Sequence, residues 1–379
     1  MHSAYADDLI FTTREASQNQ EVTDLVVSLL EWSRTMRGKP VKCWSLARKS
    51  FDARSQSHRF QPFGATSGYC SYDPLIVMSG EPIKFIAERD FKYVGLFFSH
   101  NLSEDNAFSL LLEQFTHWLC LVDNLSLDGN MKIWLYAFYI VAKICWPLMV
   151  YSWSVTKVQE LDSCATQYLV KWSGMLSRGA NKSFFWRRRR DFGLYLRKPS
   201  TLFKQMQIVK YHLLKYSLDP KMRELYSARL KRERKWSNRW SPAQTLEAAE
   251  SASRLSDRTK GAQTSTAGLG LMSLFSRPDR PRSRAISFVY NIDNDEQMVH
   301  LRSLVKQGKI AQWESVIAAD FSWNKLTFGM SQCEFSFMVN AMHNLLPTPD
   351  NLRLWGKTQV DLGCNLCSKI YLQQSWRSL

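Results

Sequence analysis

Three long stretches, Phe108 to Val122, Lys132 to Val150 and Val155 to Leu176, repeat apolar residues at helical spacing. Stripes of that width must be buried, so region 101–240 is predicted to be a helical bundle. The chain has 379 residues, 45% of them hydrophobic, enough for cores in two or three domains. Global disorder, collagen and low-complexity classes are thereby excluded.

The most lipid-like part of the bundle, Ile133 to Val155, is interrupted by Lys143. Its longest uncharged run is the 13 residues from Ile144 to Thr156, short of the ~18 that a spanning helix needs. The expectation is a buried helix with no membrane partner. Met1 to Tyr5 lacks the charged and apolar regions of a signal peptide. Eight cysteines (43, 70, 120, 145, 164, 333, 364 and 367) are too sparse for a disulfide scaffold. Together these predict a protein that is not secreted and works in a reducing compartment, nuclear or cytoplasmic. Cys120, Cys145 and Cys164 fall inside apolar helix patterns and read as core fillers. The seven histidines show no metal-ligand spacing, and no catalytic triad or phosphate-binding glycine loop is present.

Upstream of the bundle the pattern changes. Short apolar runs at Ser3–Tyr5, Leu9–Thr12, Lys42–Ala47, Leu75–Met78, Ile83–Ile86 and Tyr93–Phe98 predict strands, with Ser79-Gly80-Glu81-Pro82 as a turn. Among them, Ser17 and Gln20 form a capping box for a helix with the stripe Val22, Leu25, Val26, Leu29, Leu30 and Met36, closed by Gly38 and Pro40. Region 1–100 is therefore predicted to be α+β. Region 241–284 places Ser, Thr, Gly, Pro or Ala at 24 of its 44 positions and predicts a flexible linker. Region 285–379 then remains as a small helical C-terminal module.

The formal net charge is +16, and it is concentrated. From Arg178 to Arg239 there are 19 Lys and Arg against four acids, so that segment alone carries +15. It includes Trp186 followed by Arg187, Arg188, Arg189 and Arg190, and the run of Lys231, Arg232, Arg234 and Lys235 ending at Trp236. Aromatic rings beside cations suit a phosphate backbone with stackable bases, which makes RNA and DNA the expected partners. A solvated helix face or a nuclear import signal would use the same residues.

The chemistry is concentrated near the N-terminus. Ala4-Tyr5-Ala6-Asp7-Asp8-Leu9-Ile10-Phe11 sets two adjacent carboxylates between two apolar strand segments. A tight turn would push both acids to its tip. Their mutual repulsion is relieved by a divalent cation, and hard oxygen ligands suit Mg²⁺, although an ordinary surface turn has the same composition.

With its neighbours, the tetrad Tyr5-Ala6-Asp7-Asp8 resembles the palm hairpin of reverse transcriptases of non-LTR (LINE-type) retrotransposons, the class with a restriction-like endonuclease. Three further stretches follow in the family's order: Gly38-Lys39-Pro40-Val41-Lys42-Cys43, Asp73-Pro74-Leu75-Ile76-Val77-Met78-Ser79-Gly80, and Phe91-Lys92-Tyr93-Val94-Gly95-Leu96. Lys171-Trp172-Ser173-Gly174 resembles a thumb motif. Leu345 to Leu352 with Trp355, then Cys364-Asn365-Leu366-Cys367, resemble the lead-in and first half of a Cys/His knuckle.

The resemblance implies an RNA-directed DNA polymerase: palm end (1–100), helical thumb (101–240, basic from 178), linker and C-terminal module. It implies Asp7 as a Mg²⁺ ligand, Asp8 as its supporting neighbour, and Lys42, with Lys39 nearby, as the lysine that protonates departing pyrophosphate. Lys92, Tyr93 and Gly95 would belong to the strand holding the primer terminus.

Two departures accompany it. The family's first metal-binding aspartate lies well upstream of the tetrad, and this sequence begins four residues before it. The expectation is a fragment truncated at the N-terminus, inactive alone because two-metal catalysis needs carboxylates on separate strands, and using deoxynucleotides only when an N-terminal half is supplied. A structural Zn²⁺ wants four ligands, and no Cys or His follows Cys367, so the knuckle reads as half present or as two unpaired thiols. A non-catalytic nucleic-acid-binding remnant and a structural helical protein with a coincidental tetrad stay open as alternatives.

Overall fold

The computed structural model describes residues 2–5, 8–11, 16–33, 39, 43–45, 76–85, 91–93, 96–98, 104–176, 181–188, 193–233, 240–263, 281–304, 327–343 and 345–356. They divide between two compact units, Met1–Leu111 and Leu112–Leu379.

The first unit carries short strands and one helix. β1 (His2–Tyr5) pairs antiparallel with β2 (Asp8–Phe11) from His2 opposite Phe11 to Tyr5 opposite Asp8. The helix α1 (Ala16–Trp32) already contains Ser17, so the predicted capping box does not form. Gln20 is used differently. Its Nε2 donates to the Val77 carbonyl at 2.8 Å and its Oε1 accepts from the Val77 N–H at 2.8 Å, as a neighbouring strand would. The predicted stripe is not a buried one, since Leu25, Leu29 and Trp32 are exposed and Thr23 is buried. Of the closing residues, 36, 38 and 40 lie outside the described residues.

Of the predicted turn Ser79-Gly80-Glu81-Pro82, Ser79 and Gly80 form the turn, while Glu81 and Pro82 already belong to a strand. Ser79 and Gly80 both have positive φ, 51° and 84°, the twist that a two-residue hairpin favours. The turn joins β4 (Val77–Met78) to β5 (Glu81–Pro82), with Val77 opposite Pro82. Proline is tolerated there because the Val77 N–H and carbonyl turn outward to Gln20. β3 (Trp44–Ser45) runs parallel to β6 (Lys84–Phe85). The expected single strand over Tyr93–Phe98 is instead half of a hairpin: β7 (Phe91–Tyr93) pairs with β8 (Leu96–Phe98), Tyr93 opposite Leu96. Among the described residues the strands make four separate pairs rather than one sheet.

The second unit is helical. α2 (Asp105–Asp123) runs into it, followed by one long helix over 129–150, made of α3 (Gly129–Leu135), a π-helical turn (Tyr136–Ile140) and α4 (Val141–Val150). α5 (Val155–Ser173) is N-capped by Ser154 and closed by Gly174, whose φ of 64° suits glycine. The three apolar-periodic stretches thus form helices, as predicted. α6 (Pro199–Lys215) is central, packing against α4 and α5, and its Leu202, Phe203, Ile208 and Val209 are buried. Pro147 removes a helical hydrogen bond near the end of α4. Gln207 then satisfies the terminal carbonyls of Leu148, Met149 and Tyr151 at 2.7, 3.2 and 2.6 Å.

α7 (Pro220–Glu233), α8 (Pro242–Gln263) and α9 (Pro281–Ser303) come next. The expected flexible linker over 241–284 is corrected here. Ser241 caps α8 through Gln244 N–H at 3.3 Å, and Ala243, Leu246 and Ala249 are buried with Ile208, Tyr211, Ala285 and Val289. Small side chains at helical spacing let α6, α8 and α9 approach closely, and the composition that suggests a linker is the composition of that contact. Residues 264–280 lie outside the described residues.

α10 (Gln332–Met342) and α11 (Pro349–Leu354) are the last helices among the described residues. α10 does not stand apart as a separate module, because Gln332 and Asn340 bind α5. Gln332 Nε2 donates to Trp172 O at 3.1 Å, and Asn340 Nδ2 donates to Gly174 O at 2.9 Å.

Candidate nucleic-acid interface

Asp8 is the first residue of β2, paired with Tyr5 in the ladder, so it is a strand residue. Asp7, Lys42 and Gly95 lie outside the described residues, as do Arg189, Arg190, Arg234, Lys235, Cys364 and Cys367. Lys92 is exposed in β7, with its ammonium 5.7 Å from the centre of the Phe97 ring across the ladder. Tyr93 closes the same strand. Lys39 is exposed. Among the described residues, no three His, Cys, Asp or Glu side chains converge as a metal site would require.

The basic segment divides into an internal part and an outward part. Arg187 is 3% exposed, which corrects the expectation that it faces a phosphate backbone. The chain doubles back over it: Tyr195 N–H donates to Arg187 O, and Leu194 and Leu196 donate to Phe184 and Phe185, at 2.8 to 2.9 Å. That strap buries Phe184, Phe185 and Trp186. Gly193 permits it, since a Cβ there would overlap the Arg187 carbonyl. Arg188 holds α9, with its N–H on Asn294 Oδ1 at 3.1 Å, its guanidinium on Asn291 Oδ1, and its charge 5.4 Å from the Tyr290 ring centre. Half of the four-arginine run therefore fastens the fold.

Other cations of the segment are also engaged. Lys198 lies 3.7 Å from Asp162, and Lys215 lies 2.7 Å from Glu250. Lys210 donates to Val150 O at 2.9 Å and, with Arg229, to the Ser152 hydroxyl at 3.2 and 3.3 Å. These two cations sit at the negative end of the α4 dipole.

The outward part lies chiefly on α7. Tyr226 and Leu230 pack that helix onto the α6–α8–α9 core, while Lys221, Arg223 and Lys231 are exposed. Arg232 is in the same helix. Lys182 and Arg197 are also exposed. At the start of α7, His212, Leu213, Tyr216 and Met222 line a shallow apolar cleft. Burial there holds the His212 imidazole below its usual pKa, so it adds no charge near neutrality.

The expectation of a buried helix within Ile133 to Val155 holds for only one side of the helix over 129–150. Ile133, Tyr136, Ile140, Ile144 and Leu148 are fully buried, whereas Trp134, Phe138, Tyr139 and Trp146 are exposed. By length and composition this helix could cross a membrane, yet its other side is built into the bundle. The signal was present in the sequence: a helix apolar on all sides, with no Asp or Glu from 129 to 159.

No protein-family profile matches the chain, and no curated protein matches its sequence.

Proposed function

We propose that this chain is part of an RNA-directed DNA polymerase of the non-LTR retrotransposon kind, with palm-end elements in the first unit and a thumb in the second. The observation that carries the reading is the hairpin around the tetrad. Tyr5 and Asp8 pair with only Ala6 and Asp7 between them, and α1 begins at Ala16. A two-residue connection between paired strands is what a metal-binding palm hairpin needs, because it separates the backbone directions of adjacent acids. In this proposal Asp7 takes Mg²⁺, Asp8 supports it, and Lys42 serves as general acid. Lys92, Tyr93 and Gly95 would belong to a primer-holding hairpin. Cys364 and Cys367 would be half of a zinc knuckle. The workplace of such an activity is the nucleus or cytoplasm, with RNA and DNA as partners.

Primer extension on an RNA template tests this reading. The 379-residue chain is expected to extend a primer with Mg²⁺ only when a segment carrying the family's first aspartate is supplied, and Asp7→Ala is expected to abolish that extension. Extension that survives Asp7→Ala overturns the assignment.

A second reading, a nucleic-acid-binding element without catalysis, draws on the exposed Lys221, Arg223 and Lys231 of α7. It predicts salt-dependent binding to RNA or DNA with no extension under any complementation.

A further inference from the structure

A docked helix normally turns its polar side to water. The helix over 129–150 instead presents Trp134, Phe138, Tyr139 and Trp146, at 40, 63, 53 and 43% exposure. The rings are held in place rather than scattered. Trp134 and Phe138 lie one turn apart with centroids at 5.1 Å. The Lys143 ammonium sits between two rings, 4.5 Å from the Trp118 centroid and 4.2 Å from that of Tyr139, and the residue remains exposed. No acid occurs between Asp128 and Glu160, so no carboxylate of this stretch competes for a cation or repels an anion. Exposed rings of this number on one face mark an interaction surface.

We propose that this face is a stacking platform for the unpaired bases of a single-stranded nucleic acid, with Lys143 meeting the phosphates that run past the rings. The proposal deepens, and rests on, the nucleic-acid reading given above. Charge selects the occupant. The helix itself brings no acid from 129 to 159 and sets the exposed Lys143 among its rings, and a polyanion with flat apolar groups complements both properties at once. A bilayer would complement the apolar part, but the helix cannot enter one deeply while Ile133, Ile140, Ile144 and Leu148 are committed to the bundle. A duplex hides its base faces and would use the cations alone.

The test compares two labelled strands with equal numbers of phosphates, an oligodeoxythymidine and its abasic counterpart, by fluorescence anisotropy with the full chain. The base-bearing strand is expected to bind more tightly. Removing rings with Trp134→Ala and Phe138→Ala, both at exposed positions, is expected to weaken oligodeoxythymidine binding about tenfold per ring. Binding of the abasic strand and the salt slope should not change, and Phe138→Tyr should restore affinity. Unfolding midpoints equal to that of the parent chain show that the variants fold. Unchanged oligodeoxythymidine binding overturns the proposal, as does an equal loss on both strands. So does loss of binding to phosphatidylcholine–phosphatidylserine vesicles with strand binding intact, which would make the face a lipid contact. If neither strand binds in a salt-dependent way, the nucleic-acid reading falls, and this proposal with it.

Discussion

The indole N–H of Trp172 donates to Asp123 Oδ1 at 2.9 Å, while Lys171 donates to Oδ2 of the same carboxylate at 2.6 Å. Asp123 is the last residue of α2, so the Lys171-Trp172 pair ties the end of α5 to the end of α2. Gly174, two residues on, leaves room for Ser336, which a Cβ would overlap. The motif thus has a structural role whatever the chain's activity.

Trp172→Phe removes one hydrogen bond to a charged acceptor and is expected to cost about 1–3 kcal/mol. The Lys171 hydrogen bond, with smaller help from Trp172, holds the Asp123 carboxyl below its ordinary pKa. A depressed carboxyl contributes stability above its unfolded pKa and loses it as pH falls through the folded one. The deficit of Asp123→Asn, followed by thermal unfolding, should therefore be present at pH 7 and shrink below about pH 4. A deficit that does not change with pH would show that the ion pair is not its source.

Leu246→Ala tests the helical state of a region whose composition suggests a linker. Leu246 is fully buried between α6 and α9. Truncation should cost about 2–5 kcal/mol in urea unfolding. An unchanged midpoint would return 241–263 to a linker.

The second unit was more legible than the first. Periodicity over 15 or more residues integrates many weak preferences, which is why Phe108–Val122 and Val155–Leu176 became helices as expected. Two-residue strands such as Trp44–Ser45 give no such average. Gln20 suits a capping box and a side-chain amide bound to a strand equally well, and only the position of Val77 decides between them. Charge predicts exposure for most arginines, while the burial of Arg187 accompanies the strap formed by Gly193 to Leu196, which no local pattern announces. The exposed rings on the helix over 129–150 were hidden by the same rule in reverse.

Arg187 and the cations of α7 should part company in binding experiments. Replacing Lys221, Arg223 and Lys231 together with Ala removes three exposed charges. If each meets a phosphate of a single strand, the slope of log affinity against log salt should flatten by about 2. Arg187→Ala should leave that slope unchanged and lower stability, because it empties a buried site. A flattened slope in a folded Arg187→Ala protein would show that this guanidinium reaches the nucleic acid after all.

His343 supplies a pH dependence with a defined sign. The residue is 3% exposed, its Nδ1 lies 2.7 Å from Val339 O, and its ring meets Phe184 edge-on at 4.8 Å. Burial first, then the nearby Arg187 charge, pushes its pKa down to about 4, with the Val339 and Asn181 backbone contacts opposing. The unfolded chain binds a proton at about 6.5, which the folded chain refuses until about 4. Falling pH therefore favours unfolding across that window, and His343 costs nothing above it. The full penalty is about 3 kcal/mol. Asp162, whose carboxyl is raised by burial, acts with the opposite sign, losing stability as pH rises. The two are separated by substitution. His343→Leu should remove most of the fall in unfolding free energy between pH 6.5 and 4, and Asp162→Asn should leave that fall in place. A His343→Leu protein with the parent's pH profile would show that the imidazole is not the group that titrates.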